Sequence, residues 1–132
     1  MIDQEKGSIR HDHQARSWPK LPGRAELEDA SATFRALGDT ARLRLLTRLS
    51  AGEACVTELA DVEREKLTTV SARLKTLNDV RLVKRRREAK HIYYSLSDIH
   101  VLRLVESVME HAAERPKPPV SREPRTRKEK RL

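Results

Sequence analysis

The sequence predicts a mainly α-helical domain carrying a single β-hairpin, and three observations lead there. Apolar residues recur at helical spacing from about residue 25 to residue 115. One stretch breaks that habit: Val83–Leu96 gathers β-branched and aromatic residues around a short Glu88-Ala89-Lys90 turn. Aromatic residues are scarce (Trp18, Phe34, Tyr93, Tyr94), so aliphatic side chains on helices must build the core.

Taken in order, residues 25–37 place Ala30, Phe34 and Leu37 on one side of a first helix. Asp39-Thr40 starts a second, with Leu43, Leu46 and Leu49 inward and Gly52 as its stop. Val56-Thr57 opens a short third helix through Leu59, Ala60 and Val62. A fourth runs from Leu67 to Asp79, with Leu67, Val70, Leu74 and Leu77 on one face. After the hairpin, apolar pairs at 101/102, 104/105, 108/109 and 112/113 define a last helix from Ser97 to about Glu114. This order is that of a winged helix-turn-helix: mainly α with a β-hairpin wing, and a homodimer expected through the N- and C-terminal helices.

Composition sets the boundaries. Residues 1–24 are polar, contain Trp18-Pro19 and Pro22-Gly23, and are expected to form a flexible arm ahead of a 25–115 DNA-binding and dimerisation domain. Residues 116–132 hold Pro116, Pro118, Pro119 and Pro124 among many basic side chains, which predicts a disordered tail. Lysines and arginines number 28 against 20 acidic residues, a net charge of +8, which suits a polyanionic partner such as double-stranded DNA. The tail contributes five of those charges, so the folded part is less basic than the total suggests. One cysteine, Cys55, excludes an intrachain disulfide framework and fits a reducing compartment. No stretch has the length of a membrane span and the N-terminus is not signal-like, so a cytoplasmic protein is expected.

The last helix carries Asp98, His100, His111 and Glu114. His100 and His111 are eleven residues apart, which is ~16 Å of helical rise, and at ~100° per residue they lie on one stripe. Ligands so far apart on one stripe share an ion when a second copy runs antiparallel alongside. Asp98 and His100 of one chain then meet His111 and Glu114 of the other, giving two equivalent sites bridging a two-fold dimer. Two imidazoles and two carboxylates suit Zn(II), for which Co(II) or Cd(II) substitutes. Four protein ligands leave no open position, which argues for a regulatory or structural ion and against a zinc hydrolase. Taken singly, Asp98 is also a natural cap for the helix, and His111 with Glu114 an ordinary surface pair.

Several segments together resemble one family. Phe34-Arg35-Ala36-Leu37-Gly38-Asp39-Thr40-Ala41-Arg42-Leu43-Arg44-Leu45-Leu46 is similar to the opening signature of the ArsR/SmtB metal-sensing repressors. So are Cys55-Val56-x-Glu58-Leu59-Ala60, Val70-Ser71-x-x-Leu74-Lys75-x-Leu77, Arg81-Leu82-Val83 and His91-Ile92-Tyr93-Tyr94-x-Leu96. The resemblance spans roughly residues 30–114. It implies a dimer that represses its operator DNA when apo and releases it on binding metal, freeing efflux or sequestration genes. Asp98, His100, His111 and Glu114 fall on the ligand positions of the zinc-sensing branch. The alternative is a constitutive DNA-binding protein with a structural zinc or another effector. Sensing through a cysteine cluster is disfavoured, because each subunit has one thiol.

The same resemblance implies a second metal site, of Cys55 and Glu58 with His11 and His13 from the arm, against a buried and inert Cys55. Glu58 stands where the family more often has Asp. In the fourth helix, Thr68, Thr69, Ala72, Lys75 and Thr76 are expected to face outward, with Ser71 and Arg73 on the flanks. The family pattern makes Thr69, Ser71 and the position of Ala72 base-reading, and Ala72 departs from the histidine often found there. Arg64 replaces the glycine frequent in the preceding turn. On the hairpin, the basic run of Lys84, Arg85, Arg86, Arg87, Lys90 and His91 is expected to contact phosphate, with Arg85, Arg87 and Lys90 singled out, against a merely solvated strand edge. Arg87→Ala is then expected to weaken operator binding without altering base preference, read across a salt series.

Overall fold

A computed structural model describes residues 15–116. Five helices and three strands follow one another as α1 (Arg24–Leu37), α2 (Thr40–Leu49), β1 (Ala54–Cys55), α3 (Val56–Glu63), α4 (Leu67–Asp79), β2 (Val83–Glu88), β3 (His91–Leu96) and α5 (Ile99–Ala113). The predicted winged helix-turn-helix is borne out, with α3 and α4 as the helix pair and β2–β3 as the wing. No helix among the described residues is long and apolar enough to cross a membrane.

Local chemistry sets the element ends. Asp39 caps α2, its side chain accepting the Arg42 N–H at 2.9 Å, and Arg42 folds back so that its Nε donates to the Ala36 carbonyl at 2.9 Å. That return contact fastens α1 to α2. Arg64 closes α3 in the left-handed conformation, φ 54° and ψ 45°, so the turn keeps its geometry without the glycine. Ala89 takes a positive φ of 53° to let Glu88 and His91 pair across the wing tip.

The core is aliphatic. Leu45, Leu46 and Leu49 of α2 meet Leu59 and Ala60 of α3, and Val70, Leu74 and Leu77 of α4. Val83, Tyr94, Val101 and Val105 close it from the sheet and α5. Four apolar residues expected inward are not. Phe34 is 63% exposed, and Ala30, Val62 and Leu67 also face solvent. Leu43 is half-buried, and Leu45 is buried beside Leu46 and Leu49 instead. The two-residue β1 was not expected from the sequence. It pairs antiparallel with β3, Cys55 opposite Tyr93, giving a sheet of order β1-β3-β2.

Candidate metal centre and nucleic-acid interface

Both ends of α5 carry metal-capable groups. Asp98 is the N-cap, its Oδ1 accepting the Val101 N–H at 3.0 Å, and His100 Nδ1 lies 3.6 Å from the same oxygen. Two ligands of one tetrahedral zinc sit about 3.4 Å apart, so this pair fits a shared ion. The cap and the ligand role are compatible, since a carboxylate has a second oxygen and spare lone pairs. His111 and Glu114 lie at the other end, the latter as C-cap, both exposed. No three His, Cys, Asp or Glu side chains converge among the described residues. Within one chain, therefore, the four candidate ligands stand as two separate pairs.

The Asp98 end of α5 is hydrogen-bonded to the exit of α4 through Ser97. Ser97, its chain neighbour, donates its N–H to the Leu82 carbonyl at 3.1 Å and its Oγ to the Arg81 carbonyl at 2.7 Å. Arg81 and Leu82 in turn donate to the carbonyls of Asn78 and Leu77, in the last turn of α4. Four hydrogen bonds thus connect the residue before the α5 cap to the last turn of α4. Sequence reading missed Ser97; the signal available was its position between the hairpin and the first ligand.

Cys55 is 5% exposed. Its sulfur lies 3.0 Å from Thr57 Oγ1 and 3.8 Å from His91 Nδ1, and its N–H donates to Glu58 Oε1 at 3.1 Å. The hydrogen bond with Thr57 holds the thiol below its ordinary pKa, against the opposing effect of burial. Glu58 thus serves first as a helix-capping group for α3. His91 was not expected beside the sulfur; the β1–β3 pairing puts both on one sheet face, two residues apart in register. His11 and His13 lie outside the described residues.

Along α4, Thr68, Ala72, Lys75 and Thr76 are exposed, while Thr69, Ser71 and Arg73 are half-buried. Arg73 Nη1 is 3.6 Å from Glu65 Oε1, so part of its charge is matched within the chain. Arg85, Arg87 and Lys90 are exposed on the wing. Below this surface, nearly buried Glu63 takes the Nε–H of both Arg44 and Arg48 at 2.8 Å, locking α2 to the end of α3.

The architecture defines a winged helix-turn-helix DNA-binding fold. No protein-family model matches the chain. It is 38% identical over 96 residues to the transcriptional repressor SmtB homolog of Synechocystis sp., covering 73% of each chain. It is likewise 38% identical over 87 residues to the cadmium resistance transcriptional regulatory protein CadC homolog of Staphylococcus aureus, covering 65% of this chain and 72% of that one. A homodimeric winged helix-turn-helix DNA-binding domain from Mycobacterium bovis, a possible ArsR-family regulator, superposes with a TM-score of 0.68 at 32% identity, over 76% of this chain and 94% of that one. The chain belongs to the ArsR/SmtB family of metal-responsive transcriptional repressors, and like these relatives it is a regulator and not an enzyme.

Proposed function

We propose that this protein is a cytoplasmic, zinc-responsive repressor whose apo homodimer holds operator DNA and whose metal-bound dimer releases it. The observation that carries this reading is the division of Asp98/His100 and His111/Glu114 between the two exposed ends of one helix, with Ser97 bonding one end to the carbonyls of Arg81 and Leu82 just after α4. In an antiparallel dimer, Asp98 and His100 of one subunit and His111 and Glu114 of the other would hold Zn(II), with Co(II) or Cd(II) substituting. A bound ion would supply a fixed positive charge between the two α5 helices, held by Asp98 and His100 of one and His111 and Glu114 of the other. Through its bonds to Arg81 and Leu82, Ser97 would link that end of α5 to the angle of α4 against DNA.

On the DNA side, Thr68, Thr69, Ser71, Ala72 and Lys75 read the major groove, with Arg73 at its edge, and Arg85, Arg87 and Lys90 hold phosphates. Coupling is reciprocal: DNA weakens metal by the factor that metal weakens DNA, about 5- to 150-fold for about 1–3 kcal/mol. Because imidazole ligates when neutral, the response is expected to fade below about pH 6. Within this reading residues 1–24 are an arm, 25–115 the working domain and 116–132 a basic tail adding non-specific phosphate attraction. A second, softer metal site of the Cys55 thiol with Glu58, His11 and His13 is the alternative to a buried, inert Cys55, and in this reading Cys55 is inert.

A Co(II) titration of the full-length apo protein on its own upstream DNA tests the reading. Tetrahedral d–d bands without a thiolate charge-transfer band, rising in step with DNA release, are the expected result. A thiolate band tracking release would move the switch to Cys55. Metal uptake with DNA retained would leave a constitutive DNA-binding protein with a structural ion.

A further inference from the structure

Among the wing's basic side chains, Arg86 has a distinct environment. Strand alternation puts Arg85 and Arg87 opposite Tyr94 and Ile92, on the sheet face that packs on the core near the body, while Arg86 stands opposite Tyr93 on the outer face. There its guanidinium reaches across β3. Nη2 and Nε donate to the two Glu53 carboxylate oxygens at 2.6 and 3.3 Å, and Nη1 donates to Glu88 Oε2 at 2.7 Å. Its Cζ sits 4.7 Å from the centroid of the Tyr93 ring. Both acids and the ring thus match this one cation, and Arg86 holds the Glu53 carboxyl below its ordinary pKa through that hydrogen bond.

Glu53 immediately precedes β1, and β1 runs directly into α3. The β1–β3 ladder has two residue pairs, against six between β2 and β3. A bidentate arginine that spans all three strands supplements the shorter ladder. We infer that Arg86 is a positioning residue, setting the wing's attitude to the helix-turn-helix through Glu53 and Tyr93 instead of contacting phosphate. The inference rests on the DNA-binding reading above for its consequence, and on the free protein for its geometry.

The test compares full-length Arg86→Gln, Arg86→Lys, Glu53→Gln and Arg87→Ala in operator binding across a salt series. Losing a phosphate contact lowers the salt slope by about 0.9. Arg87→Ala is expected to show that drop. Arg86→Gln is expected to lose roughly three- to tenfold in affinity with its slope unchanged, and Arg86→Lys to resemble it, because an ammonium keeps the charge but not the fork. Glu53→Gln discriminates most sharply. Removing an acid should tighten DNA binding if bulk charge decides, but should weaken it if the strut decides. A reduced slope for Arg86→Gln, parental binding by Arg86→Lys, or tighter binding by Glu53→Gln would overturn the inference. Amide exchange in the free protein gives a second readout. Faster exchange at residues 53–55 and 92–95 in Arg86→Gln is expected, with Arg87→Ala unchanged, and equal exchange in both would overturn the strut. Should the parent bind no operator at all, the DNA reading fails while the exchange experiment still judges Arg86.

Discussion

Complementation between two crippled chains gives a direct measure of whether the metal site bridges subunits. Asp98 caps one end of α5 and Glu114 the other, and the ~16 Å rise between His100 and His111 far exceeds the ~3.4 Å that separates two ligands of one ion. One variant carries Asp98→Ala with His100→Ala, the other His111→Ala with Glu114→Ala. Each homodimer keeps half of every site, and its metal affinity should fall by more than the roughly 10- to 100-fold that loss of a supporting partner costs. Mixing the two at equal concentration, with subunit exchange, makes roughly half of the dimers hybrid. Every hybrid has one complete site and one with no ligands. The mixture should therefore regain about one quarter of a tight ion per chain, against about one for the parent. Competition with a chromophoric chelator counts the sites, and native mass spectrometry verifies the hybrids. Hybrids present with no tight site regained would refute the bridging geometry. So would parental stoichiometry in either variant alone.

Three further outcomes follow from named contacts. Ser97→Ala removes the 2.7 Å bond to the Arg81 carbonyl but keeps the backbone bond to Leu82. It should leave metal affinity of the free protein within about twofold while reducing the coupling by about 1 kcal/mol, the worth of one hydrogen bond. Calorimetry of metal into free and DNA-bound protein reads this, and undiminished coupling would remove Ser97 from the path. Arg64→Gly should raise the urea midpoint. Relief of a left-handed side chain is worth about 1–2 kcal/mol and the added chain entropy costs about 0.4–1, leaving roughly 0.5–1 kcal/mol. A lower midpoint would mean that Arg64 makes a stabilising contact. For Glu63, burial pushes the carboxyl pKa up, but hydrogen bonds from Arg48 and Arg44 win and hold it below the ordinary range. Its contribution is thus present above the unfolded value near ~4.3 and lost as pH falls through the depressed native value. Glu63→Gln should cost about 1–2 kcal/mol at neutral pH, discounted because both arginines are substantially exposed, and the gap should close in strong acid. A pH-independent gap in urea melts would show that the ion pair is not its source.

Much of the fold was legible because its signals are local. The limits of α4, Leu67–Asp79, follow from apolar spacing alone, and the hairpin from its change of period. Which leucines of α2 are buried was not fully legible. Leu43 and Leu45 are equally apolar, so the spacing does not choose between them, and the Arg42 side chain folding onto the carbonyls of Ala36 and Arg35 has no periodic signal either. Nor was β1, two residues long and without any period to detect, and with it went the proximity of His91 to Cys55. In the candidate centre, spacing showed that His100 and His111 share a stripe, but the Ser97 bonds depend on how β3 returns past the end of α4. Contacts made by side chains across long sequence separations leave no periodic trace.

The exposed apolar residues and the divided ligands have one physical explanation. Leu27 and Phe34 on α1, with Ile99, Val108 and Met109 on α5, are each at least 40% exposed, although both helices are amphipathic. Burying a large apolar side chain is worth about 1.5–3 kcal/mol, and a second copy laid along α1 and α5 would remove these from water. That same copy would bring His111 and Glu114 beside Asp98 and His100, which otherwise stand apart in solvent. In the proposed dimer, then, apolar burial holds the subunits together and the metal selects among their arrangements. Removing the four ligands should leave the dimer intact while abolishing release of DNA. Phe34→Lys should do the reverse, weakening the dimer itself and taking metal affinity down with it. Sedimentation at increasing dilution separates the two cases, and a ligand-free variant that became monomeric would show that the ion, not the apolar seam, holds the pair.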